Sequence, residues 1–288
     1  GGQMGRRGLA VVIAVVAALG VFIPSVAAAP MTPPAVRTTE HKVPVGPEPD
    51  GTAVELDTTL YTPVGEAERP VALLGHGFGG SKKDVEDRAA DLASRGYLVL
   101  AWSARGFGDS GGRIHLNDPA FEGADVSALI DWVAARQGVE LDGPGDPRLA
   151  VAGASYGGAI GLIAAGLDHR IDTVIAAATW HDLADALFPQ SAHGPAADGV
   201  IGPAKQLWIS RFFGSALAQG GGRPPAENPG DSLLCGRFDV TICTGLLAAA
   251  ETGTPDAGTV AMLRAHSPAA VLAEVKAPVF LVQGMADS

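Results

Sequence analysis

Short continuous apolar runs alternate along this chain with stretches whose apolar positions recur at helical spacing. Val71-Ala72-Leu73-Leu74 and Tyr97-Leu98-Val99-Leu100-Ala101-Trp102 are runs of the kind found in strands buried on both faces of a parallel sheet. Between them, residues 84–95 predict a helix closed by Gly96. Apolar residues at 126, 129, 130 and 133 predict a second helix over 124–137. Leu149-Ala150-Val151-Ala152 then reads as a buried strand, Ala159 to Ala165 as a helix of small residues, and Ile171 to Ala177 as the next strand. Val54 to Tyr61 alternates instead, which predicts an antiparallel edge strand. Strands alternating with helices imply βαβ units, hence an α/β fold with a doubly wound, mostly parallel sheet.

That rhythm breaks between Trp180 and Ser267, where Gly220-Gly221-Gly222 and Pro224-Pro225 make the stretch irregular. It reads as an inserted cap over the carboxyl edge of the sheet. The rhythm resumes at Pro278 to Gly284. The predicted organisation is a signal peptide at 1–29, a Pro/Thr-rich linker or extended lead-in at 30–50, a core at 51–179, the cap at 180–267, and the core continued at 268–288.

Composition narrows the function. The net charge of −11 disfavours nucleic acid, whose phosphates such a surface would repel. Arg6-Arg7, the apolar stretch Leu9 to Ile23 and the small residues up to Ala29 form an export signal, cut after Ala28 or Ala29. The apolar stretch is short for a bilayer span, so no stable membrane span is expected after cleavage and the mature chain is expected to be secreted or in the cell envelope. In such a compartment the two cysteines, Cys235 and Cys243, are expected to form one local disulfide. No histidine lies at ligand spacing from them, so neither a metal nor another cofactor is expected.

The chemistry centres on Gly153-Ala154-Ser155-Tyr156-Gly157, placed between a buried strand and a helix of small residues. In that context G-x-S-x-G is a nucleophile elbow, with the serine hydroxyl exposed above the carboxyl end of the sheet. A serine needs a base, an acid that orients the base, and donors for the oxyanion. The donors expected are the backbone N–H groups of Phe78, in the loop Gly75-His76-Gly77-Phe78-Gly79-Gly80, and of Tyr156. His76 reads as a residue that fixes this loop. Asp287, just after the last apolar run, is the expected acid. The usual order of this fold puts the base after the acid, so the histidine loop and the last strand are expected beyond Ser288. Of the earlier histidines, His266 reads as a cap-to-core junction residue, and His181 and His193 sit in the cap.

His76 to Lys82, Ser103-Ala104-Arg105-Gly106-Phe107-Gly108-Asp109-Ser110, the elbow with Tyr156, and Gln283 to Asp287 together resemble the α/β-hydrolase superfamily. More narrowly, they resemble X-prolyl dipeptidyl peptidases and cocaine-esterase-like acyl hydrolases. The resemblance spans residues 51–288 apart from the cap. It implies Ser155 as nucleophile, Asp287 as acid, and Phe78 and Tyr156 as amide donors. Some members of the family add a tyrosine hydroxyl to the oxyanion hole; Tyr61, the upstream candidate, does not match that pattern. The reading is therefore an exported serine hydrolase acting on a small-molecule ester or peptide through an acyl-enzyme. The alternatives are an X-prolyl dipeptidyl peptidase, for which Asp182, Asp185 and Asp198 could anchor the substrate amine, and a non-catalytic binding protein of the same fold. Oligomeric state is not legible.

Overall fold

The computed structural model describes residues 34–189, 205–219 and 235–285. The signal segment 1–29, His193, Asp198 and Asp287 therefore lie outside the described residues.

Among the described residues seven strands form one sheet in the order β1-β2-β4-β3-β7-β8-β9. They are β1 (Val36–Val45), β2 (Val54–Pro63), β3 (Val71–Gly75), β4 (Leu98–Trp102), β7 (Leu149–Ala154), β8 (Thr173–Ala177) and β9 (Val279–Val282). β5 (Leu141–Gly143) and β6 (Asp146–Pro147) make a separate small ribbon. β3, β4, β7, β8 and β9 run parallel, while β2 is antiparallel to both β1 and β4.

The buried strands read as unbroken apolar runs because each face meets a different core. Leu73, Leu98 and Leu100 pack against Val126, Leu129, Ile130 and Ile163, from α2 (Ala124–Ala134) and α3 (Tyr156–Leu167). Ala72, Leu74, Val99 and Ala101 face the other way, onto Ala89 and Ala93 of α1 (Glu86–Ser94). The period of two survives although no polar residue marks it.

Three expectations are corrected. Residues 36–45 are not linker: they form β1, paired residue by residue with β2 from Val36↔Pro63 to Val45↔Val54. Pro44 is tolerated there because, among the described residues, β1 is the edge strand and has neighbours on one side only. In consequence β2, expected at the edge, lies inside the sheet, and its Thr58 and Thr59 bury their hydroxyls against the His41 carbonyl and the Glu40 carboxylate. The insertion is also more regular than its glycines and prolines suggest. Its described parts are the helices α4 (Leu183–Leu187), α5 (Gln206–Gln219), α6 (Val240–Thr252) and α7 (Ala257–Ala265). Asp182, Asp239 and Asp256 cap three of them through their carboxylates, and Gly253 ends α6 at a φ of 81°.

Sheet order decides where a site can lie. The chain leaves β3 for β4 on one side, then returns to β7 on the other, so the crevice opens outside the carboxyl ends of β3 and β7. Phe107, Ile114, Leu116 and Tyr156, from loops and the helix start at that end, share a second apolar core with Leu187, Ile209, Phe212, Phe238 and Leu246 of the insertion.

Candidate active site

Ser155 stands between β7 and α3 with φ 52° and ψ −118°, a conformation that L side chains rarely adopt. Two close approaches impose this turn. A Cβ on Gly153 would lie 2.5 Å from the Gly157 carbonyl oxygen, and one on Gly157 would lie 2.6 Å from the Gly75 carbonyl carbon. Strand, helix and the end of β3 thus meet backbone to backbone, which only glycine permits. The Ser155 amide donates to the Ala177 carbonyl (2.9 Å), and its carbonyl accepts from the Gly158 and Ala159 amides (3.0 Å each) and from Thr179 Oγ1 (2.8 Å). The backbone is held on all sides while Oγ makes no hydrogen bond among the described residues. Tyr156 is the first residue of α3, so its N–H is one of the donors a helix leaves unpaired at its start.

The facing loop is built around His76. Its Nε2 accepts the Ala104 amide (2.9 Å), so the proton sits on Nδ1 and is donated to the Gly77 carbonyl (2.7 Å). Burial holds its pKa below the usual imidazole value, and the ring stays neutral. His76 is thus a strut of the loop. The next side chain, Phe78, is gripped by rings from both parts of the molecule: Phe107 at 5.0 Å and Tyr156 at 5.4 Å from the core, Phe212 at 4.5 Å and Phe238 at 5.8 Å from the insertion. No backbone acceptor among the described residues takes the Phe78 N–H.

The other expected residues fall as follows. His266 joins α7 to the core through Asp118, Nε2 to Oδ2 at 3.1 Å, as a junction residue should. His115 binds Glu48 (2.6 Å), His41 binds Thr39 (2.9 Å), His169 reaches the Glu274 carbonyl (3.2 Å), and His181 is exposed. Asp182 caps α4, and it and Asp185 flank Arg264 at 3.5 and 3.6 Å. Tyr61 is buried in the core on the α1 face. Arg105 is buried between Asp125 (2.5 Å) and Glu48 (3.3 Å), and Ser110 Oγ ties the Ser103 carbonyl to the Asp57 amide. The Arg-Gly-Phe-Gly-Asp-Ser stretch therefore shapes its own loop. Cys235 and Cys243 form a disulfide.

Glu122 has no counterpart in the sequence reading. It is 2% exposed, and burial raises its pKa to about 7. Oε1 accepts from the His115 amide (2.8 Å) and the Tyr156 hydroxyl (3.2 Å), and Oε2 from the Asp118 amide (3.1 Å). The sequence offered no signal, since an acid just ahead of an amphipathic helix looks like an ordinary first-turn residue.

Residues 50–211 match the model of the X-Pro dipeptidyl-peptidase (S15) family. The quorum-quenching protein AidA of Acinetobacter baumannii (strain MDR-ZJ06) is 31% identical over 136 residues, 46% of this chain and 43% of that one. The chain spans about half the length of the curated relatives it matches. Among solved structures, the complex of DcsB with its substrate analogue superposes with a TM-score of 0.51 at 20% identity, over 86% of this chain and 81% of that one. The 2,6-dihydroxy-pseudo-oxynicotine hydrolase superposes with a TM-score of 0.52 at 16% identity, over 87% of this chain and 53% of that one. At such identities the likeness concerns the fold.

Proposed function

Because the chain belongs to the X-Pro dipeptidyl-peptidase (S15) family of α/β-hydrolases, we propose that it is an exported serine hydrolase that cleaves ester or amide bonds through an acyl-enzyme. Ser155 attacks the carbonyl carbon, and a histidine oriented by Asp287 takes the hydroxyl proton and returns it to the leaving group. The amides of Phe78 and Tyr156 hold the tetrahedral oxyanion. The observation that carries this reading is the strained Ser155 backbone, held over the crevice with a hydroxyl that no described residue engages. A donor of this kind typically contributes about 10²–10³ in turnover. The helices between β8 and β9 act as a cap, and the rings of Phe212 and Phe238 on Phe78 support that role.

Fluorophosphonate labelling tests the mechanism, applied to this chain and to one carried through any residues that follow Ser288 in its reading frame. Labelling at Ser155 in the extended protein, abolished by Ser155→Ala, is the expected result. Normal turnover in that variant sinks the assignment, and two folded but unlabelled proteins favour a non-catalytic binding role. The family match favours a second reading within the same mechanism, the release of proline-containing dipeptides. A panel of prolyl-dipeptide and short-chain ester substrates separates the two. Export is supported by the Cys235–Cys243 disulfide, a bond that persists in oxidising compartments. N-terminal sequencing of the mature protein checks it, with a start after Ala28 or Ala29 expected and an intact leader counting against it.

A further inference from the structure

Tyr156 is held at more points than a core aromatic requires. Its ring is buried against Phe78 and Phe107. Its hydroxyl donates to Glu122 Oε1 (3.2 Å) and accepts the Asn117 amide (3.1 Å). Its carbonyl accepts Asn117 Nδ2 (3.1 Å), so both ends of the residue are tied to one neighbouring loop.

That loop is itself under strain. Leu116 and Asn117 have φ of 59° and 62°, two consecutive non-glycine residues in the left-handed region, both fully buried. Asparagine tolerates this conformation, but leucine does so rarely. The loop is closed by Glu122, whose carboxyl takes the amides of His115 and Asp118 on either side of the strained pair. Glu122 sits in a π-helical turn, Pro119–Gly123, an uncommon element that here aims the carboxyl back at Tyr156. Beneath Tyr156 and Gly157 lies a cavity of about 10 Å³, lined by Asn117, Glu122, Asp125 and His76 among others.

We infer that Asn117 and Glu122 are positioning residues for catalysis: by holding Tyr156 at its carbonyl and hydroxyl they fix the direction of the Tyr156 amide that completes the oxyanion hole. The inference rests on the reading of Tyr156 as an oxyanion donor. Neither residue touches the reacting atoms. They act from the far side of the Tyr156 α-carbon: the peptide that carries its N–H is held at the Ser155 carbonyl by Gly158, Ala159 and Thr179, while Asn117 holds the next peptide and Glu122 the side chain, and an error of about 1 Å at the donor is costly to rate.

Three variants cut different ties. Tyr156→Phe removes the hydroxyl and leaves the amide. Asn117→Gly removes the tie to the carbonyl while accepting the positive φ. Glu122→Gln keeps the size but turns an NH2 toward one of the amides that Glu122 accepts. Each is assayed in the protein carried through any residues after Ser288, on a short-chain nitrophenyl ester, with melting temperature as the check on folding. The expected result is a fall in kcat of about 10- to 100-fold with KM within twofold, less than for outright loss of a donor. Tyr156→Phe combined with Asn117→Gly should lose less than the product of the two, because both release the same residue. An unchanged kcat in the folded variants, with only melting temperature or KM moved, overturns the inference. If Tyr156→Phe does not fold, Asn117→Gly decides, its glycine easing the strain at φ 62°. Failure of the wild type to label with a fluorophosphonate is a different result, which removes the reading of Ser155 itself.

Discussion

At the scale of single residues, the site depends on groups kept in states they would not adopt in water. His76 stays neutral because it is buried and its two nitrogens have opposite duties, one accepting and one donating. Glu122 is the opposite case, a buried carboxyl whose pKa reaches about 7 against an ordinary value of 4.5. Between those two values the unfolded chain ionises at this position while the folded protein keeps its proton. Stability therefore falls as pH rises from 4.5 to about 7, by roughly 3 kcal/mol at the upper end. Glu48 and Asp118 act in a separate range. Burial pushes both upward, but hydrogen bonds to His115 and His266 leave them below their ordinary values, so their contribution is lost only as pH falls below about 4. The melting temperature of Glu122→Gln should accordingly change less between pH 5 and 7 than that of the wild type. Equal slopes for the two proteins would show that another group governs this range.

At the scale of elements, the insertion is fastened to the core by the short loop that the disulfide closes. Arg237, between the two cysteines, donates to the Gly108 carbonyl (3.1 Å) and to the Ser110 carbonyl. The Arg237 carbonyl in turn accepts the Ile114 amide (2.8 Å), and the Ile114 carbonyl accepts that of Asp239 (3.0 Å). Phe238 from the same loop stacks on Phe78. One constrained turn thus reaches both the Arg105 loop and the Phe78 loop. Replacing Cys235 and Cys243 by serine should cost about 2.5 kcal/mol through the entropy of the unfolded chain. Thermal melts with and without a reductant check this, and a wild type indifferent to reductant would refute it. Little of the insertion was legible in the sequence. Its helices rest on alanines, glycines and aspartate caps, whose apolar contrast is too weak to separate from the Gly/Pro-rich stretches between them. β1 was obscured in another way, since Pro44 suits both a linker and an edge strand.

For the whole molecule, the two ends of the sheet differ. At one end β1 closes the sheet as a strand of mainly polar exposure, its Glu40 and Lys42 exposed while pairing with Lys82 and Asp57. At the other, β9 presents Phe280 and Leu281, each 63% exposed, beside Ile175 of β8 at 40%. An exposed apolar edge strand is a template for association. The chain is therefore expected to self-associate through β9, and Phe280→Lys to reduce this, as read by light scattering. A monomer that melts cooperatively without the substitution would contradict it.

What the sequence determined by itself is what local pattern and steric necessity dictate. Continuous apolar runs made β3, β4 and β7 parallel strands, and Gly153 and Gly157 made the turn at Ser155 sharp, because only a glycine lets strand and helix touch. What the tertiary structure alone decided is which distant groups meet: Glu122 under Tyr156, His266 on Asp118, Phe212 and Phe238 on Phe78. A carboxylate one turn ahead of a helix is a solvated cap or a buried tether depending on what packs over it. Burial, which sets its charge and its reach, exists only once the chain has closed on itself.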